Sequence, residues 1–211
     1  MKKILKYITG FVLLIIVAYN SIYFKKLDEV KAAASKDFDA KTYAKKYFND
    51  KLVPALKDAI DLNQLLTLLQ KDKEKTFDQY SHALGIGNIR FFLVKGEGEI
   101  VSVNENDVTI SLKADSSQKS VQIATEFVFG NAIRDASGFI DVNEFKNTMD
   151  FNNVSAEVNK IVRNEVLPPF KAIAKKGQNI RFSGAVEFNR AHLNLQQIEV
   201  VPVSLEVVDK S

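Results

Sequence analysis

The spacing of apolar residues changes once along this chain, after Gly85, and the switch confines the fold to helices first and a strand-built body afterwards. From Asp37 to about Gln70, Tyr43, Tyr47, Leu52, Leu56, Leu62, Leu66 and Leu69 recur at intervals of three and four, as in one or two amphipathic helices. Ser35 and Asp37 are the expected N-caps, and Pro54 predicts a kink or a break followed by a new helix start. Beyond Gly85 the apolar residues alternate. Phe91, Leu93 and Ile100 to Val103 form a long first strand interrupted by Gly96 and Gly98, which permit a bulge or sharp coil.

A turn at Asn104 to Asp107 leads to a half-buried strand in which Val108, Ile110 and Leu112 alternate with polar residues. After a second turn at Asp115 to Ser117, Val121, Ile123 and Phe127 belong to a third strand. Val154, Val158, Ile161, Val162 and Val166 return to the helical interval until Pro168-Pro169, where the helix is expected to break. Two strands close the chain, one alternating from Ile180 to Phe188 and one from Ile198 to Val208, where Pro202 suggests an edge or bulge. Three strands, a helical insertion and two strands follow the order of an OB-like five-stranded β-barrel in an α+β chain, with the insertion between strands 3 and 4. An unrelated α+β sandwich has the same element order. The expected organisation is a membrane segment over residues 1–26, helices packing on the barrel over 27–84, and the barrel over 85–211.

The first 26 residues place an apolar run from about Tyr7 to Phe24 between lysines. A bilayer core needs about 20 mostly apolar residues, and about 17 is the lower limit, so the run can span. Ala18-Tyr19-Asn20 is a poor cleavage site and Ala32-Ala33-Ala34 lies far downstream, which favours an uncleaved signal anchor over a removed signal. The expectation is a single-pass membrane protein with its N-terminus in the cytoplasm and its C-terminal domain in the periplasm or extracytoplasmic space. Five lysines flank this run, and without them 24 basic residues face 26 acidic ones. The folded part therefore lacks the concentrated positive charge of a nucleic-acid binder, and no nucleic-acid partner is expected.

Catalytic constellations are scarce. There is no cysteine, and the only histidines, His82 and His192, stand far apart in the chain without a second ligand at metal spacing. Hydrolase, metalloprotease and phosphate-loop motifs are missing, so no catalytic residue, cofactor or metal is assigned. The stretch Phe129 to Phe145, FGNAIRDASGFIDVNEF, imitates a calcium loop when Gly138 is set on the loop glycine and Glu144 on the final ligand. It fails because the first ligand position falls on Ile133, which has no side-chain oxygen, and the fifth on Ser137.

Within that stretch Arg134-Asp135 is the most pointed polar pair. With Asn131 and Asn147 it forms the candidate ligand-binding set, the guanidinium offering a bidentate fork to an anionic group in a crevice. The structural alternative pairs Arg134 with an internal acid or with backbone carbonyls. Gly130, Gly138, Phe139 and Phe145 are the expected shaping residues of the segment.

FGNAIRDASGFIDVNEFKN, the strand GQNIRFSGAVEF, and upstream FDAKTYAKKYFNDKLVPAL, ALKDAIDLNQLL and VKGEGEIVSV together resemble the predicted periplasmic lipoproteins grouped as domain of unknown function 2291. The resemblance covers most of Asp37 to Val208. It implies an extracytoplasmic address without any established activity, and a gene neighbourhood of sugar transporters of the ATP-binding cassette class. Members commonly carry a lipid-modified cysteine, which this chain lacks, so a shared address requires the apolar helix as anchor. The expected function is a non-enzymatic binding or accessory module, whose partner is an ABC transporter or its solute-binding protein. A carboxylate-dependent envelope hydrolase using Asp135 and Glu144, and a structural assembly protein, are the alternatives.

Overall fold

The computed structural model describes residues 7, 10–12, 14, 38–113 and 119–208. Contacts divide the chain into two units, Met1–Phe38 and Asp39–Ser211. In the first, Tyr7, Gly10, Phe11, Val12 and Leu14 are helical and exposed. The rest of the expected membrane helix lies outside the described residues, as do Ser35, Asp37 and the turn at Asp115 to Ser117. No helix among the described residues is long and apolar enough to cross a membrane.

Asp39 starts helix α1 (Ala40–Tyr47), its carboxylate accepting from the Lys41 and Thr42 amides at 3.1 Å each. Pro54 stands at the start of a new helical stretch, as expected, but the backbone stays helical through it. A π turn over Phe48–Leu52 precedes it, closed by the Val53 amide donating to the Phe48 carbonyl, and this widened turn makes room for the proline ring in the short helical stretch Val53–Ala55. Strand β1 (Ile60–Asp61) then leads to α2 (Leu62–Lys71) and α3 (Lys73–Tyr80), with Asp72 ending one helix and capping the next. A two-residue strand β2 (Ser81–His82) completes this region.

Five longer strands make the barrel: β3 (Ile89–Val103), β4 (Asp107–Leu112), β5 (Ser120–Ala124), β6 (Asn179–Asn189) and β7 (Glu199–Val208). They pair in the closed order β3-β4-β5-β7-β6 and back to β3. Every contact between barrel strands is antiparallel except β5 with β7, where Gln122 faces Glu199 and Ile123 faces Val200. Such a closure leaves no long free edge. Strand β3 bends to pair β6 along most of its length and β4 along its second half, with a register shift between Ile100 and Ser102. The glycines before that bulge admit close neighbours, Gly96 the Phe182 ring and Gly98 the Ser111 carbonyl. Across from Pro202 the β6–β7 ladder shifts between Ser183 and Gly184, so the proline sits at an irregularity as its missing N–H requires. Strand β5 ends at Ala124, which leaves Phe127 outside the sheet.

Between β5 and β6 run α4 (Ala132–Ala136), α5 (Thr148–Ile161) and α6 (Leu167–Ile173). Pro168-Pro169 opens α6 instead of ending the helical segment, again after a π turn, Val162–Val166. Leu62, Leu65, Leu66, Leu69 and Phe77 join Phe92, Ile100, Ile110, Ile123, Phe182 and Val200 in one buried cluster, so α2 and α3 complete the barrel core. Each such side chain contributes about 1.5–3 kcal/mol of burial free energy. Helix α1 packs on α5 instead.

Candidate functional site

Arg134 and Asp135 lie on α4 and are 4% and 3% exposed. The Arg134 Nε donates to Asp135 Oδ1 at 2.6 Å, Nη2 to Asp135 Oδ2 at 3.2 Å, and Nη1 to the Phe151 carbonyl at 3.2 Å. Its guanidinium carbon stands 3.5 Å from the centre of the Phe151 ring. The fork expected to face a ligand is thus turned inward, onto an acid and a carbonyl. Asn131 joins the pair, its Nδ2 donating to Asp135 Oδ2 at 2.5 Å. Asn147 has a different task. Its Oδ1 accepts from the Asp150 amide at 2.8 Å and caps α5, while its Nδ2 donates to the Asp150 carboxylate.

The remaining motif residues shape this segment. Gly130 and Gly138 take φ of 77° and 69°, a left-handed conformation that suits glycine. The Gly130 carbonyl accepts from Ser155 Oγ and Asn159 Nδ2, both at 2.7 Å. At Gly138 a Cβ would come within 2.5 Å of His82 Nδ1. Burial, with Arg90 nearby, holds the His82 imidazole below the usual histidine value. Phe145 stacks edge-on against Tyr43 and Phe151, each at 5.3 Å, while Phe139 is exposed. Glu144 accepts from the Tyr43 hydroxyl at 3.0 Å. Ile133 is fully buried, and no group of acidic or histidine side chains among the described residues is placed to hold a metal.

Tyr47 ties α1 to the same segment, its hydroxyl 2.6 Å from Ser137 Oγ and donating to the Arg134 carbonyl at 3.2 Å. Burial pushes this phenol from 10.0 up to about 12, with the Asp135 charge adding to the rise. A folded-state value above the unfolded one contributes stability in full below pH 10, and that stability is lost as the pH climbs towards 12. At about 1.36 kcal/mol per pH unit the contribution reaches up to about 2.7 kcal/mol. Melting temperatures between pH 9 and 12 are expected to fall steeply in the native chain and more gently in Tyr47→Phe. Parallel falls would show that another group drives alkaline unfolding.

Apart from this node, a concavity opens on the outside of the barrel, a cleft of about 780 Å³. Gln122 reaches it from β5, Glu187 from β6, Glu199 from β7, and Gln196 and Gln197 from the β6–β7 loop. All five side chains are exposed and have neither hydrogen-bond nor ion-pair partner among the described residues. Phe127 and Phe129 add two rings, 61% and 62% exposed, with centroids 6.4 Å apart and planes inclined by 35°. Among the described residues no lysine or arginine lines the cleft.

The segment that carries the two rings is held through its backbone. Val128 between them is fully buried, and its carbonyl accepts from Arg163 Nη1. The Arg163 guanidinium lies 4.9 Å from the Phe129 ring centre, and the Asn106 carbonyl accepts from the Thr125 and Glu126 amides at 2.9 and 3.2 Å. Phe91 and Phe92 on β3 and Phe182 and Phe188 on β6 are core residues, whereas Phe127 and Phe129, beyond the end of β5, face out. Sequence reasoning passed over the polar lining. Its one signal was the outward phase of the alternating strands, in which Glu187 stands between Val186 and Phe188.

Residues 12–206 match the model of a family described as predicted periplasmic lipoprotein (DUF2291). A crystal structure of an OB-fold protein from Thermotoga maritima is similar to this one, with a TM-score of 0.72 and 26% sequence identity, over 82% of this chain and 100% of that one. No curated protein matches the chain.

Proposed function

Because the chain belongs to the predicted periplasmic lipoprotein family (DUF2291), we propose that it is an extracytoplasmic, membrane-held binding module that presents the barrel-face cleft to a ligand. The cleft carries this reading. It gathers five exposed polar side chains, without partners among the described residues, beside two exposed rings in one concavity of the size usual for small-molecule sites. With no cysteine available for lipid attachment, the apolar run from Tyr7 to Phe24 is the proposed anchor, a single pass with the domain in the periplasm. A transport system is the proposed partner, on the family resemblance alone.

The Arg134 node supports the module from within, since each of its three nitrogens already donates inside the protein. The hydrolase alternative needs Asp135 and Glu144 across an open cleft, whereas Asp135 is buried in an ion pair and Glu144 holds the Tyr43 hydroxyl. Amide chemical shifts of the full chain in nanodiscs, titrated with the small-molecule fraction of a periplasmic extract, test the proposal. Shifts are expected to gather at Gln122, Gln197 and Glu199; shifts confined to residues 131–147, or none at all, would overturn it.

A further inference from the structure

We infer that the cleft takes an uncharged, polyhydroxylated ligand, a saccharide of one to a few units, stacked on Phe127 and Phe129 and hydrogen-bonded through its hydroxyls to the polar wall. This rests on the cleft being the binding surface and adds the chemistry of what it binds. A sugar ring has two kinds of surface, a C–H face that packs on an aromatic ring and a rim of hydroxyls that both donate and accept. The cleft has a counterpart for each. Two exposed phenyl rings stand at its lip, and Gln122, Gln196 and Gln197 supply amides able to donate and accept at once. Glu187 and Glu199 are acceptors only, and a hydroxyl donating to a carboxylate forms one of the stronger neutral-ligand hydrogen bonds.

Charge sorts the other candidates. A phosphate or carboxylate ligand would meet two carboxylates and, among the described residues, no cation in the lining, the Arg163 guanidinium beside Phe129 being held by the Val128 carbonyl; a nucleic-acid strand needs a basic groove beneath its stacked bases. A cationic ligand would gain from the carboxylates, yet Phe129 already carries the Arg163 guanidinium at 4.9 Å, so a second cation there would meet like charge. The volume of about 780 Å³ falls within the roughly 300–1,000 Å³ usual for small-molecule sites.

The test uses the full chain in nanodiscs and a panel of neutral mono- to trisaccharides, with spermidine, citrate and a ten-residue oligothymidylate as rival probes. Calorimetry gives affinity and amide hydrogen exchange gives location. A saccharide is expected to bind and to protect the cleft amides around Gln122 and Gln197. Phe127→Ala and Phe129→Ala should each weaken that binding at least tenfold, and Glu187→Gln about threefold, the last at unchanged melting temperature because its side chain is exposed and has no partner among the described residues. If spermidine, citrate or the oligonucleotide protects the cleft and no saccharide does, the ligand class is wrong and the cleft stands as the binding surface. If no probe protects it, or a saccharide protects another surface, both readings fall. Unchanged saccharide affinity in the double phenylalanine variant would overturn the stacking role.

Discussion

Replacing Arg134 by methionine is expected to lower the unfolding free energy by about 3–5 kcal/mol, the usual cost of stranding one member of a buried ion pair. The guanidinium is 4% exposed and contacts Asp135 through two nitrogens, so its loss leaves a carboxylate that water cannot reach, with only the Asn131 amide donating to it. The Phe151 carbonyl loses a donor and the Phe151 ring loses its cation in the same step. Because Tyr47 and Ser137 hold the Arg134 carbonyl, the damage reaches the packing between α1 and α4. Adding Asp135→Asn to Arg134→Met removes the stranded charge and should restore much of the loss. Urea midpoints of the native chain, the single variant and the double variant decide it. A single variant within about 1 kcal/mol of native would mean the pair is solvated, as surface pairs of that small worth are.

What the sequence made legible depended on periodicity. Val108, Ile110 and Leu112 alternate cleanly, as do Ile180 to Phe188, and both runs are strands with those residues inside. The prolines misled for a local reason. Pro54 and Pro168-Pro169 read as interruptions, but a π turn before each lets the helical path continue, and no residue pattern announces such a turn. Phe127 looked like a strand residue because it keeps the alternation of Val121 and Ile123, although the ladder ends at Ala124. Arg134-Asp135 is the most pointed polar pair in the sequence, its apolar neighbours suit a crevice or an interior, and the structure turns its guanidinium onto Asp135 and the Phe151 carbonyl. The cleft was the least legible part. It exists because β5 and β7 pair in parallel, setting Gln122 opposite Glu199 from positions 77 residues apart, and closure of that kind leaves no trace in local spacing.

The glycines that interrupt the first barrel strand lead to the other large effect. Gly98→Ala is expected to cost about 2–3 kcal/mol, as overpacking against an immovable neighbour does. A Cβ at this position would stand 2.6 Å from the Ser111 carbonyl oxygen and 3.2 Å from its carbon, and these are backbone atoms that no rotamer change can clear. Strand β3 cannot slide away either. Gly98 pairs with Leu112 on one side and Ile180 on the other, so moving it to relieve β4 disturbs β6, and both contacts belong to the ring that closes the barrel. The neighbouring Lys113 amide, which donates to the Glu97 carbonyl at 3.2 Å, would be displaced with it. Gly85→Ala is the control, since a Cβ there meets nothing within 4 Å. It should be neutral, or stabilising by about 0.4–1 kcal/mol through the lower entropy of the unfolded chain. The two variants therefore separate glycine required by close approach from glycine in an open loop. Equal urea midpoints for both would mean that β3 and β4 lie further apart at Gly98 than 2.6 Å to Ser111 implies, and that the bend rests on the bulge at Ile100 to Ser102 alone.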